Sequence, residues 1–357
     1  MILLLVPALV QPTIAIVLRK EIRSLSTDEF YEWSTALHKF RDNKIPDFTF
    51  PNLQTITAFH AALTLNETYD QAHKGANFIP LHALLIRAFE MGLQYWYPNA
   101  SSIYWDWSDD PSAIFTPELM GEYNESTGVI LNGAFANFPV GYVAEVANED
   151  FLEWVPESQT VLRYESLPLN TEIVGRIANQ AMYYDPPATT EMVEACGNMT
   201  SFRDFWCCVY YDEDSRDSCG STSGASESRL HGQVHGWFAG YATVGDSLVR
   251  FDGADLATSP NDPVFYLHHS NVERFWQAWA FKTGRFMATI ADPCGGYDEE
   301  TPEGHGIREP FYPKIDMVDA VTDEILPDGA DGVPDTPYAI CKAIYANPPY
   351  VYDTYPY

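Results

Sequence analysis

The sequence predicts a mainly α protein, a four-helix bundle wrapped by long loops and short β-strands. Three observations carry that expectation. Apolar residues recur at helical spacing in five stretches. The segments 98–228 and 286–357, by contrast, are punctuated by Pro and Gly and hold no sustained period. With 357 residues, 46% of them hydrophobic and 14% aromatic, the chain can bury a sizeable core around those helices.

The first helix is announced by the capping-box pattern Ser26-x-x-Glu29, after which Phe30, Trp33, Leu37 and Phe40 share a face. A second, near Leu53 to Leu65, aligns Leu53, Ile56, His60 and Leu63. The third, Leu81 to Tyr97, aligns His82, Leu85, Phe89, Leu93 and Trp96. A fourth surrounds His231 to Phe238. The fifth takes Asp262 as N-cap and Pro263 as its first helical residue, and carries Phe265, His269, Val272, Trp276 and Trp279 on one stripe.

Fifty acidic against 20 basic side chains give a formal charge of -30, which repels phosphate backbones and argues against nucleic-acid binding. Residues 1–15 are Leu- and Val-rich, uncharged and end in the small Ala15, as a cleavable signal peptide does, which leaves 16–357 as the functional domain. Pro7, Gln11 and Pro12 interrupt that run, so it does not read as a stable membrane anchor, which needs about 20 apolar residues. Six cysteines and the sequons at Asn66, Asn99, Asn124 and Asn198 suit a secreted, disulfide-bonded glycoprotein. Cys196, Cys207, Cys208 and Cys219 crowd one segment and suggest local staples, with the pairing left open.

The nine histidines are the informative residues. His60, His82 and His269 each occupy the apolar stripe of a predicted helix, where an imidazole needs a partner. His231 and His235 stand four apart on one face of another. His73 approaches from a connecting segment, with the Gly75 to Pro80 loop between it and His82. Two sets emerge: His60, His73, His82 and His231, His235, His269. Histidines converging from bundle helices form metal sites, and an all-nitrogen set speaks against calcium, magnesium and iron–sulfur centres. Paired zinc ions normally recruit bridging carboxylates, so copper with dioxygen is the preferred reading.

The motifs carrying these histidines resemble those of the type-3 copper family of tyrosinases, catechol oxidases and molluscan-type haemocyanin units. The stretch His73-Lys-Gly-Ala-Asn-Phe-Ile-Pro-Leu-His82 followed by Phe89-Glu90 is similar to the family's first-copper loop. Tyr104-Trp-Asp-Trp107, His231-Gly-Gln-Val-His235 and Asp262-Pro-Val-Phe-Tyr-Leu-His-His269 with Asn271 and Arg274 resemble its later motifs. Arg19-Lys20, Gly133-Ala-Phe135, Leu162-Arg163 and Tyr350-Val-Tyr352 are weaker echoes, so the likeness runs from about residue 19 to the C-terminus.

The resemblance implies two copper ions per chain, one on His60, His73 and His82, the other on His231, His235 and His269. It places the ligand at the second histidine of the His268-His269 pair, in agreement with the helical phase. Phe78 and Phe265 would pack against ligand rings. Glu227 would hold the water that takes a phenol proton. Gly232 stands where strong monophenol-hydroxylating members often carry Asn, and Ala257 where a bulky Phe often shades the second copper, which makes both candidate access positions. Gln71 and Ala72 occupy the ground from which a cysteine forms a thioether to the second ligand in some members, so no such crosslink is expected. Leu81 and Ala83 replace the usual Trp and Arg around the third ligand. His38 and His305 match no motif and are assigned to the surface. No C-terminal shielding domain is expected after the Tyr-x-Tyr.

The implied activity is oxidation of o-diphenols, with monophenols as further candidates, to o-quinones at the expense of dioxygen. The competing reading is a reversible dioxygen carrier, which uses the same six histidines but denies phenols entry. A hydrolytic dizinc site is disfavoured by the all-imidazole donor set.

Overall fold

The structure, a computed structural model, describes residues 16–64, 70–73, 75–140, 144–146, 152–154, 174–178, 187–210, 219, 230–244, 247–285, 297, 305–309, 336–345 and 350–357. Among these residues it is mainly helical. The helices are α1 (Thr27–Asp42), α2 (Leu53–Thr64), α3 (Phe78–Trp96), α4 (Thr190–Gly197), α5 (Phe202–Tyr210), α6 (Leu230–Ala239), α7 (Val264–Lys282) and α8 (Pro337–Tyr345). Strands are few and pair only in twos: β1 (Val17–Arg19) parallel to β6 (Tyr350–Tyr352), β2 (Ala144–Val146) antiparallel to β3 (Leu152–Trp154), and β4 (Tyr241–Val244) antiparallel to β5 (Ser247–Arg250).

The five helices expected from periodicity are all present. Ser26 and Glu29 form the reciprocal capping box at the start of α1, whose Phe30, Trp33, Leu37 and Phe40 are buried. Helix α3 begins three residues earlier than expected, because Pro80 sits in its first turn, where a missing N–H costs nothing. Helix α7 begins at Val264 with Pro263 as its N-cap, while the Asp262 carboxylate accepts the Val264 N–H at 3.0 Å. Asp262 is itself held by the buried Arg176 at 2.8 Å.

Three helices fall in stretches expected to be loops and short strands. Helix α4 is capped by Thr189, which accepts the Met192 N–H, and Ser201 accepts the Asp204 N–H just ahead of α5. The buried Phe202, Phe205, Trp206 and Val209 then give α5 its inner face. These caps and spacings lie in a short, Cys-rich segment and are easily mistaken for loop. Cys196–Cys208 and Cys207–Cys219 are disulfides, the first joining α4 to α5; Cys341 is also disulfide-bonded.

Helices α3 and α7 pack together at the centre, with α1 and α2 against α3 and with α5 and α6 packed against each other. One buried cation ties the centre to the chain ends. Arg19 donates to Glu90 of α3 at 2.9 Å and to Glu273 of α7 at 2.7 Å, and its guanidinium lies 3.3 Å from the centre of the Tyr350 ring. Tyr350 donates its hydroxyl to Glu273, so the β1–β6 pair and both central helices share one network. An unpaired charge here would be costly, and each is matched.

Candidate dinuclear metal site

The six histidines singled out by sequence come together as two triads. The ligand atoms of His60, His73 and His82 lie within 4.8 Å of one another, as do those of His231, His235, His268 and His269. The triads face each other: the His82 and His269 rings stack at 4.2 Å between centroids. All but His73 are presented by helices, His60 by α2, His82 by α3, His231 and His235 by α6 and His269 by α7.

Ring orientation is set by acceptors on Nδ1. His60 Nδ1 lies 3.0 Å from the Ala257 carbonyl, His82 Nδ1 2.7 Å from the Phe78 carbonyl, and His235 Nδ1 2.7 Å from the Gly253 carbonyl. A carbonyl only accepts, so each Nδ1 carries the proton and each Nε2 presents a lone pair. His60 Nε2 and His82 Nε2 are then 3.2 Å apart with no hydrogen between them, an arrangement that a cation would satisfy. In the second triad the Nε2 atoms of His231, His235 and His269 lie 3.0 to 3.3 Å from one another. Burial pushes the pKa of His60, His82, His231 and His269 well below the usual imidazole range, and that of His235 down to about 4. Neutral imidazoles with shared lone pairs are what copper or zinc requires, and no carboxylate joins either cluster among the described residues.

His268 lies as close to the second cluster as its neighbour does, so distance alone does not choose between them. Hydrogen bonding does. The Trp107 indole donates to His268 Nδ1 at 3.1 Å, which leaves the proton of the neutral ring on Nε2, so that nitrogen presents no lone pair. His269 Nε2 instead meets its counterparts in His231 and His235.

The aromatic neighbours fill the space between triads. Phe78 packs at 4.7 Å from His82 and 4.6 Å from His231, and Phe265 at 4.2 Å from His269 and 5.5 Å from His60. Tyr210, which the motifs did not single out, lies 5.9 Å from His73 and 5.6 Å from His231, with α5 placing it beside both triads. Asp70 was also missed: its Oδ1 lies 3.2 Å from His73 Nδ1 and accepts the His73 N–H at 3.0 Å. The spacing Asp70-x-x-His73 was the available signal.

Gly232 is exposed, and among the described residues nothing lies within 4 Å of a Cβ built on it. Ala257 is buried, and its backbone contacts the first triad. Glu227 lies outside the described residues, as do Asn66, Cys294, Leu162, Arg163 and residues 1–15. Two sequence assignments are corrected. His305 is buried, not on the surface, with Nε2 2.8 Å from the Asp70 carbonyl. His38 is half-buried, with Nε2 2.7 Å from the Ala134 carbonyl. Neither matched a motif, and motif matching carries no information about packing.

Residues 51–282 match the family model for the common central domain of tyrosinase. The chain belongs to the tyrosinase family of type-3 copper proteins. A tyrosinase of Streptomyces antibioticus is 25% identical over 313 residues, which span 85% of this chain and 94% of that protein. A polyphenol oxidase structure from Thermothelomyces thermophila superposes with a TM-score of 0.60 at 18% identity, covering 95% of this chain and 89% of the other. A functional unit of octopus haemocyanin gives 0.53 at 17% identity, covering 95% and 68%. These two likenesses concern the fold. Each histidine cluster could hold a metal ion, as fits a type-3 copper family, and among the described residues no helix is long and apolar enough to cross a membrane.

Proposed function

We propose that this chain is a copper-dependent phenol oxidase, using one copper on each triad to convert o-diphenols to o-quinones with dioxygen. The observation that carries this reading is one open edge of the second triad, whose His231 and His269 are otherwise as buried as the first. His60, His73 and His82 are sealed in the core, whereas α6 presents the half-buried His235 beside the exposed, side-chain-free Gly232. A planar phenol can approach across that edge, while an oxygen carrier has no use for it.

Bound copper supplies the redox chemistry, passing electrons from phenol to dioxygen. The chain supplies the rest. The Nδ1 partners hold three imidazoles in the metal-binding tautomer, burial keeps the rings neutral, and Phe78 and Phe265 exclude water between the triads. The balance is two o-diphenols and one dioxygen giving two o-quinones and two waters. Glu227 is assigned as the base that takes a phenol proton through a water, and Gly232 contributes nothing to orienting that water. Diphenol oxidation is therefore the main activity, with monophenol hydroxylation the weaker. The disulfides and the leading 1–15 segment support action in a secreted, oxidising setting.

Oxygen consumption on addition of catechol to copper-loaded protein tests the reading. Sustained uptake with quinone formation is expected; reversible oxygen binding with catechol left intact would favour the carrier.

A further inference from the structure

We infer that His305 is a positioning residue for the first triad, bracing the loop that presents His73. The inference rests on His60, His73 and His82 being metal ligands. His73 is the one candidate ligand not carried by a helix, so its place depends on what holds residues 70–77. The brace comes from beyond the matched segment 51–282.

His305 Nε2 lies 2.8 Å from the Asp70 carbonyl, to which it must donate. Its Nδ1 is then an acceptor, and the Asn77 N–H points at it from 3.4 Å. One imidazole thus spans both ends of the loop. Between those ends Gly75 lies against the ring, where a Cβ would come within 2.3 Å of Nδ1, so the loop closes on His305 only because residue 75 has no side chain. The Tyr297 hydroxyl adds a second tie, 2.6 Å from both Asn77 Oδ1 and the His305 carbonyl.

The chemical consequence passes through Asp70. Its backbone is clamped by His305, while its carboxylate receives His73 Nδ1 and the Ala72 and His73 N–H groups. Fixing the backbone fixes the carboxylate, and the carboxylate orients the imidazole. The brace is itself anchored: Tyr338 of α8 donates its N–H to the Ile307 carbonyl at 2.8 Å, and α8 packs on α3, which carries His82. The C-terminal part of the chain thereby completes the first metal site without contacting substrate.

The test compares wild type, His305→Ala, His305→Gln and Tyr297→Phe by copper per chain and by competition against a chelator. His305→Ala should hold one copper equivalent with about 10–100-fold lower affinity, the usual cost of losing a group that orients a ligand, and leave the other unchanged. An electron-spin-resonance signal of isolated Cu(II) should accompany the half-filled protein. His305→Gln, whose amide can still donate to the Asp70 carbonyl, should recover most of the loss, and Tyr297→Phe should show a smaller loss at the same equivalent. If His305→Ala fails to fold, the other two variants decide. Wild-type affinity for both equivalents in every variant, or equal weakening of both, overturns the brace. Wild-type protein that never holds two coppers overturns the metal reading itself.

Discussion

His60 donates its Nδ1–H to the backbone carbonyl of Ala257, 197 positions further along the chain, at 3.0 Å. The segment that leads into α7 and the second triad therefore sets the tautomer of a candidate ligand in the first. The Ala257 side chain is buried beside this contact. Ala257→Phe would overfill the site by about 1–3 kcal/mol and push the carbonyl off His60. The expected result is lower affinity for one copper equivalent, read by chelator competition. An unchanged metal content with a raised KM for catechol would instead assign Ala257 to substrate access.

Of the adjacent histidines on α7, only His269 has an Nε2 free to bind metal, since Trp107 commits its neighbour to the other tautomer. His269→Ala should lose one copper of two, whereas His268→Ala should retain both and lose stability through the orphaned Trp107 indole, by about 1–3 kcal/mol. Elemental analysis and thermal unfolding of the two variants check this; the reverse pattern of metal loss would reassign the ligand.

A phenol with a pKa near 10 is almost wholly protonated at neutral pH, so hydroxylating a monophenol needs a positioned base that a catechol can better do without. Around Gly232 a larger side chain displaces none of the described residues. Gly232→Asn should raise tyrosine turnover several-fold relative to catechol turnover, and Glu227→Gln should lower the tyrosine rate more than the catechol rate. Equal changes on both substrates would remove Glu227 and Gly232 from proton handling.

Burial lowers the His305 pKa from 6.5 to about 4. Because the folded pKa is depressed, the unfolded chain binds the proton first as pH falls. In the metal-free protein this residue's contribution should therefore be lost progressively from about pH 6.5 to about pH 4, on the order of 3 kcal/mol, while the buried site imidazoles, held lower still, go on costing stability below that range. Denaturant unfolding across that range measures the slope, which should be shallower in His305→Gln. The same slope in both proteins would contradict the assignment.

Residues that repeat a pattern were legible in the sequence, and residues that act through a single contact were not. The stripes of Leu53-Ile56-His60 and Phe265-His269-Val272 revealed both the helices and the histidines that cluster between them, because burial imposes periodicity. The capping box at Ser26 marked the start of α1. By contrast, α4 and α5 are about two turns each, too short for a period to stand out, and Tyr210 reaches the site only through them. Asp70, the Ala257 carbonyl and His305 matter because of where the chain folds back, which no local spacing encodes.

The proposed copper pair, one ion on each triad, makes activity depend on both ions. It is tested most directly by titrating metal-free protein with copper and following catechol-dependent oxygen uptake against copper bound. A plateau at two coppers per chain is expected, with activity rising mainly as the second is bound. Full activity at one copper per chain would contradict it.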